Sequence, residues 1–219
     1  MAFVIDGTTG IATVDGSVSA PSQRGQDSNS GISYAADTIK FSTNGVERMA
    51  ITNSGVTGTG IGDGKVLQVV QTVLTSAVSQ TSSNTDYAAI SGFTRSITPS
   101  SSSNKVLVSV KVGCASATTG DGIAFRLYKD GSEVTGARGS AGSTYGHCAF
   151  LHYNKDHQLM LYGGGFDFLD SPSTTSSITY QMYWASTTSG SNTRYINRRA
   201  SSTGFTMISS ITLYEVDPT

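Results

Sequence analysis

The stretch KVLVSVKV, residues 105–112, decides the fold class. Val106, Val108, Val110 and Val112 occupy every second position, with Leu107, Ser109 and Lys111 between them. Successive side chains of a strand point to opposite faces, so this period of two puts the four valines on one face. The pattern recurs further along the chain. Ile123, Phe125 and Leu127 alternate with Ala124, Arg126 and Tyr128, and Lys129-Asp130-Gly131-Ser132 then turns the chain. Ile178, Tyr180, Met182 and Trp184 share a face opposite Thr179, Gln181 and Tyr183. Residues 65–75 open this region and residues 206–216 close it. Further strands are expected over 87–90, 94–98, 147–153, 159–169 and 194–197. No long stretch repeats apolar residues at helical spacing. Many strands with regular turn punctuation predict an all-β protein, with a jelly-roll-like β-sandwich head over residues 65–219.

Composition agrees. Charged residues make up 13% of the 219 positions, against about 25% in an ordinary chain. Ser, Thr and 25 glycines fill the deficit, which favours turns and pleated surfaces. A net charge of −1 gives no broad attraction to nucleic acid or to an anionic membrane. No apolar run approaches the ~20 residues of a membrane helix, so no membrane insertion is expected. The N-terminal residues carry no basic segment ahead of an apolar core, so no secretory leader is expected. Cys114 and Cys148 are too few for a disulfide scaffold and read as two buried small hydrophobes, each in a strand. That is consistent with folding in a reducing cytoplasm.

The run GTGIGDG, residues 58–64, reads as a Gly-rich connector to a thinner region over residues 1–57. There Asp6-Gly7 and Asp15-Gly16 each stop a short apolar run, and Asn44-Gly45 is a two-residue hairpin signal. Its large side chains are few: Phe3, Ile5, Ile11, Tyr34, Ile39, Phe41, Met49 and Ile51 are the main ones. So thin a set cannot build a core alone. Two solutions stay open: three copies wound together into a shaft with a shared core, or an arm that orders on a partner surface. Phe3, Ile5, Ile11, Ile39, Phe41, Met49 and Ile51 are the candidate shaft and attachment residues.

Residues 20–56 also carry a resemblance. Ala20-Pro21-Ser22, then Asp27, Asn29, Gly31 and Ile32, then ADTIKFSTNGVER over 36–48, closing at Ile51, Gly55 and Val56, resemble a segment of tailed-bacteriophage fibre and spike proteins, especially marine and cyanophage-like ones. In the second region SITPSSSSNKVLV (96–108), LDSP (169–172), YINR (195–198) and SSITLYEV (209–216) resemble a C-terminal module of similar phage proteins, one that is usually a trimeric β-sandwich. The resemblance implies a structural protein of the virion surface, made in the host cytoplasm and acting as a homotrimer. Its implied partners are other phage virion proteins of tail or capsid, and a host surface glycan or outer-membrane receptor. The chain starts at Met1 with a single copy of the shaft motif, which implies a short appendage: a fibre or spike, or alternatively a capsid-bound head fibre or decoration protein.

Chemistry is sparse. There is no G-x-S-x-G elbow, no H-E-x-x-H and no phosphate loop, so no enzyme and no cofactor are expected. His147, His152 and His157 are five apart, which sends neighbours to opposite faces of a strand; only a trimer axis gathering one from each copy would make a three-nitrogen metal site. Glycan cleavage needs two carboxylates roughly 5–10 Å apart in a cleft. Asp167 and Asp170 oppose one another across a strand, and Asp121, Glu133 and Asp156 read as solvated turn acids. Glycan binding is the better expectation. Tyr145, His147, Tyr153, Asn154, Arg194 and Tyr195 are the candidate receptor-binding residues, with Tyr145 in the Gly-rich loop 136–146. Trp184, on the apolar face, is expected in the core.

Overall fold

The computed structural model describes residues 15–24, 26–58, 65–82, 87–140, 147–154 and 161–218, in two compact units divided between Lys65 and Val66. Phe3, Ile5, Ile11, Tyr145, Asp156 and His157 lie outside the described residues, as does most of the expected connector.

The first unit is an antiparallel meander of five strands in chain order: β1 (Gln23–Arg24), β2 (Gly31–Ala35), β3 (Thr38–Thr43), β4 (Val46–Thr52) and β5 (Gly55–Thr57). Asn44 and Gly45 make the β3–β4 turn with φ of 53° and 71°. Two successive positive φ values match the twist of paired strands, and Asn and Gly tolerate them best. The register aligns Ile32, Phe41 and Met49 across β2, β3 and β4, and beside them Tyr34, Ile39, Ile51 and Val56 across β2 to β5. The large apolar side chains Ile32, Tyr34, Ile39, Phe41, Met49, Ile51 and Val56 therefore lie on one face. Small and polar residues, Ser33, Lys40, Ala50 and Thr57 among them, line the other.

The second unit is the sandwich. One sheet runs β11 (Ser132–Glu133), β10 (Asp121–Lys129), β14 (Ile178–Ser186), β8 (Ala88–Ile97), with β12 (Phe150–Asn154) also on β10. The other runs β6 (Val66–Leu74), β16 (Ser209–Val216), β9 (Lys105–Ser116), β15 (Asn192–Ile196), β7 (Val78–Ser82), with β13 (Tyr162–Asp170) along β9. All the strand pairings are antiparallel. The four valines of β9 point inward as expected and meet Phe93, Phe125, Tyr180, Trp184, Ile211 and Leu213 in one core. Each such side chain contributes roughly 1.5–3 kcal/mol by leaving water. Gly164 of β13 is required by this packing, because a Cβ there would run into the Phe150 ring.

The sandwich departs from expectation in a few places. Residues 88–97 form one strand rather than two, because Gly92, at φ 73°, takes up a bulge between the two registers with β14. Strand β7 was not expected: VSQTS shows little apolar signal, and it forms through backbone pairing with β15. Cys114 is buried in β9, but Cys148 is half-buried and precedes β12 rather than lying in a strand. Asp121 is no solvated turn acid. It is fully buried, accepting hydrogen bonds from Ser116, Ser186, Thr187 and Thr188.

Candidate functional site

The candidate receptor-binding residues divide between the two sheets. His147 precedes β12 and Tyr153 lies on it, at the edge of the β10 sheet, while Arg194 and Tyr195 lie on β15 in the other sheet. They do not form a single site. Tyr153 is 53% exposed and faces solvent. Asn154 pairs with Asp121 at the end of the β10–β12 ladder. Tyr195 is half-buried beneath Arg198, whose guanidinium carbon is 4.6 Å from the ring centroid.

Arg194 is a correction: it is completely buried and cannot be a surface ligand. Alternation on β15 turns Arg194 inward with Ile196 and leaves Tyr195 between them on the other face. Its guanidinium lies 5.2 Å from the centroid of the Trp184 ring, and the Trp184 indole N–H donates to Gln80 Oε1. Trp184 itself is fully buried, as its apolar face predicts. His152 also points inward. It is 8% exposed and packs its ring 3.9 Å from that of Tyr162, and burial pushes its pKa down. It is thus enclosed within its own sandwich, where it cannot join symmetry copies on a shared axis. Among the described residues no group of His, Cys, Asp and Glu could hold a metal ion.

His147 sits in a charged cluster. Glu133 accepts from Arg126 at 3.1 Å and pairs with Arg138 at 2.6 Å. Arg138 Nη1 meets His147 Nδ1, and the His147 carbonyl accepts from Arg126 Nε at 2.7 Å. The Arg126 guanidinium carbon stacks 3.8 Å from the Tyr87 ring centroid. Burial, only partly opposed by the Arg126 charge, pushes the Tyr87 hydroxyl up to about 12. Gly139 N–H donates to the Cys148 carbonyl at 3.2 Å. These contacts join Arg138 and Gly139 to His147 and Cys148 in one ion-paired base.

Sequence reasoning missed an aromatic pair beside this base. Tyr128 and Tyr183 stack with centroids 3.7 Å apart on the outer face of the β10 sheet, next to Arg126. Alternation already placed both tyrosines on outward faces. Their meeting depends on the β10–β14 register, which pairs Arg126 with Tyr183 and Tyr128 with Gln181. Paired rings flanked by Gln181, Thr179 and an arginine are chemically suited to stacking on sugar C–H faces and bonding hydroxyls.

Asp167 and Asp170 lie on opposite faces of β13. Asp170 accepts from the Tyr180 hydroxyl at 2.6 Å and from Lys129 at 2.7 Å, while Asp167 points to the opposite, exposed face. Glu133 is held between two arginines and Asp121 among hydroxyls.

Four of the seven candidate shaft residues are described, and these four come together. Ile39, Phe41, Met49 and Ile51 are contiguous on the apolar face of the meander, and Ile39 and Ile51 remain 37% and 40% exposed. Val56, beside Ile51, is 48% exposed. Ser33 and Ala50, on the polar face, are 1% and 3% exposed. A single copy thus covers the small side chains and leaves much of the large apolar ones in water.

The chain matches no family model and no curated protein sequence. Among solved structures it is similar to the VP2 subviral particle of infectious bursal disease virus, at 11% identity over 81% of this chain and 46% of that one, with a TM-score of 0.38. Structures of the Gx and Gt strains of the same virus match at 12% and 10% identity, covering 68% and 94% of this chain and 36% and 60% of theirs, each with a TM-score of 0.38. The chain spans about half the length of the first of these or less. Likeness at this level carries no functional assignment.

Proposed function

We propose that this chain is a structural protein of a tailed-phage virion, a short homotrimeric surface fibre used for host-surface attachment. The observation that carries the reading is the apolar face of the first unit. Ile39, Phe41, Met49, Ile51 and Val56 gather on one side of a meander and stay partly in water. Copies sharing that face would gain the core that one copy lacks. The phage-fibre-like motif over residues 20–56 supports the same reading, since it supplies most of those residues. The Tyr128–Tyr183 platform is the feature best suited to a host glycan. Asp121, Glu133 and Asp170 are held by hydrogen bonds and ion pairs within the fold, which favours binding over glycan cleavage.

Light scattering on the purified full chain tests the reading. A mass near three times 22.8 kDa is expected. A monomer at all concentrations would sink the fibre and leave an arm that orders only on the virion. Antibody labelling of particles then separates a tail fibre from a capsid-bound head fibre or decoration protein, by signal at the tail or across the head.

A further inference from the structure

Residues 198–208, RRASSTGFTMI, connect β15 to β16 and fold back onto the outer face of that sheet, where Met207 covers Gly113 and Gly163. Asn197 holds both ends of this loop. It is completely buried, with φ at 62°. Its N–H donates to the Gly113 carbonyl at 2.8 Å, and its own carbonyl accepts from the Met207 N–H at 3.0 Å. Its side-chain amide donates to the Leu74 carbonyl and accepts from the Ser209 hydroxyl, each at 2.6 Å. A bridge between Arg198 and Thr206 extends the stem. A loop fixed at its base loses little freedom when a ligand arrives.

The loop carries two arginines, each against an aromatic ring. The Arg198 guanidinium carbon is 4.6 Å from the Tyr195 ring centroid, and that of Arg199 is 4.0 Å from the Phe205 centroid. Arg198 donates to the carbonyls of Arg199 and Ala200, at 2.9 and 3.2 Å. Arg199 Nε is buried with no acceptor among the described residues. Neither arginine forms an ion pair among those residues, whereas Arg126, Lys129 and Arg138 are matched by Glu133 or Asp170. Residues 171–214 contain no Asp or Glu at all. Alternation turns Lys105, Lys111 and Asp167 to the same outer face. Lys105, Lys111, Arg198 and Arg199 therefore stand against the single carboxylate of Asp167.

We propose that the 198–208 loop binds an acidic sugar, one that carries a carboxylate or a phosphate. The proposal rests on the attachment reading above and deepens it, naming the class of glycan and a second place for it. The Arg199 guanidinium takes the anion, since its planar fork matches either group and it has no carboxylate of its own. A bound anion also supplies the acceptor that the buried N–H lacks. Phe205 is 61% exposed and offers its ring to sugar C–H groups. The exposed hydroxyls of Ser201, Thr203 and Thr206 are at hand for those of the sugar. Nucleic acid is a poorer fit, because a chain of net charge −1 gives a long phosphate polymer no broad attraction. The Tyr128–Tyr183 platform, whose neighbouring cations are already paired, is left for uncharged sugars.

Calorimetric titration of the full chain tests this, with polygalacturonate against its neutral methyl ester and phosphomannan against neutral mannan. The acidic member of at least one pair is expected to bind about tenfold tighter or more. Polygalacturonate reports a carboxylate and phosphomannan a phosphate. Arg199→Gln is expected to remove that preference with melting and sedimentation unchanged. Arg199→Lys keeps the charge without the planar fork and is expected to recover part of it. Equal affinity within both pairs, or an Arg199→Gln variant that binds as wild type, overturns the proposal. Tighter binding to single-stranded DNA or polyglutamate than to either acidic glycan overturns it too. If only the neutral polymers bind, and Tyr128→Ala abolishes that, the attachment reading survives without this site. If no polymer binds, the site and the attachment reading both fall, while the mass of the chain still decides the trimer. Should Arg199→Gln lose its fold, Phe205→Ala decides: it trims an exposed ring, and full affinity in that variant counts against the proposal.

Discussion

Asn104 Nδ2 donates to Glu215 Oε1 at 2.6 Å across 111 positions of sequence, and both residues are buried. The same carboxylate oxygen accepts from the Ser100 N–H and hydroxyl, each at 2.6 Å. Glu215 points inward from β16 and is 1% exposed, so its charge depends on these donors. Asn104→Ala removes one of them and is expected to cost about 2 kcal/mol, as for other hydrogen bonds to buried charge. Urea denaturation of the variant against the wild type measures it.

The same cap sets an acid limit. Burial pushes Glu215 up, but the hydrogen bonds from Ser100 and Asn104 outweigh it and hold the carboxyl below its ordinary 4.5. A carboxyl whose folded pKa is depressed contributes stability that is fully present above the unfolded value. That contribution is lost as pH falls through the folded pKa. Stability is therefore expected to drop as pH falls below about 4.5, and Glu215→Gln to flatten that part of the profile. Thermal melts between pH 3 and pH 6 read it; an unchanged slope in the variant would remove Glu215 from the account.

Arg194 beneath the strands should behave as a core residue. Arg194→Ala takes away a fully buried side chain and its contact with Trp184, and should cost about 3 kcal/mol or more. Arg194→Lys keeps the charge but not the planar group and is expected to cost about 1–2 kcal/mol. A surface ligand would instead tolerate both within about 0.5 kcal/mol, which chemical denaturation distinguishes.

Gly164 should tolerate no side chain. Gly164→Val drives its branches into Phe150 and is expected to destabilise by about 2 kcal/mol or more. Phe150→Leu in the same chain should recover part of the loss, which a double-mutant comparison of unfolding midpoints would detect.

Cys114 should be chemically silent in the folded state. Burial pushes its thiol up to about 12, so the reactive thiolate is nearly absent at pH 8. A disulfide-exchange reagent should modify Cys114 only after denaturant is added. Peptide mapping that finds Cys114 labelled in native protein at the rate of a free thiol would contradict the burial.

The alternating runs of β9, β10 and β14 were legible because one face of each is buried and the other is not. Period two alone then specifies strand and facing. The Asn44-Gly45 hairpin was legible for a local reason too, since two positive φ values suit few other residue pairs. The contiguous set Ile39, Phe41, Met49 and Ile51 followed from the same short-range pattern. Strand β7 was not legible, because backbone pairing with β15 rather than its own side chains makes it a strand.

The candidate binding residues were the least legible part. Arg194 looked like a surface ligand because arginine is rarely buried, and only its cover of Trp184 and Gln80 shows why it is. Tyr128 and Tyr183 lie 55 positions apart in sequence, and nothing local says that they stack. By itself, then, the sequence determined the all-β class, the inward face of the main strands and the tight hairpin. Each of these depends on neighbours within a few residues. The tertiary structure alone decided which buried charges find partners, which aromatics meet and which apolar faces stay in water. Those outcomes depend on register between strands far apart in the chain, and a shift of one residue in that register would reverse every one of them.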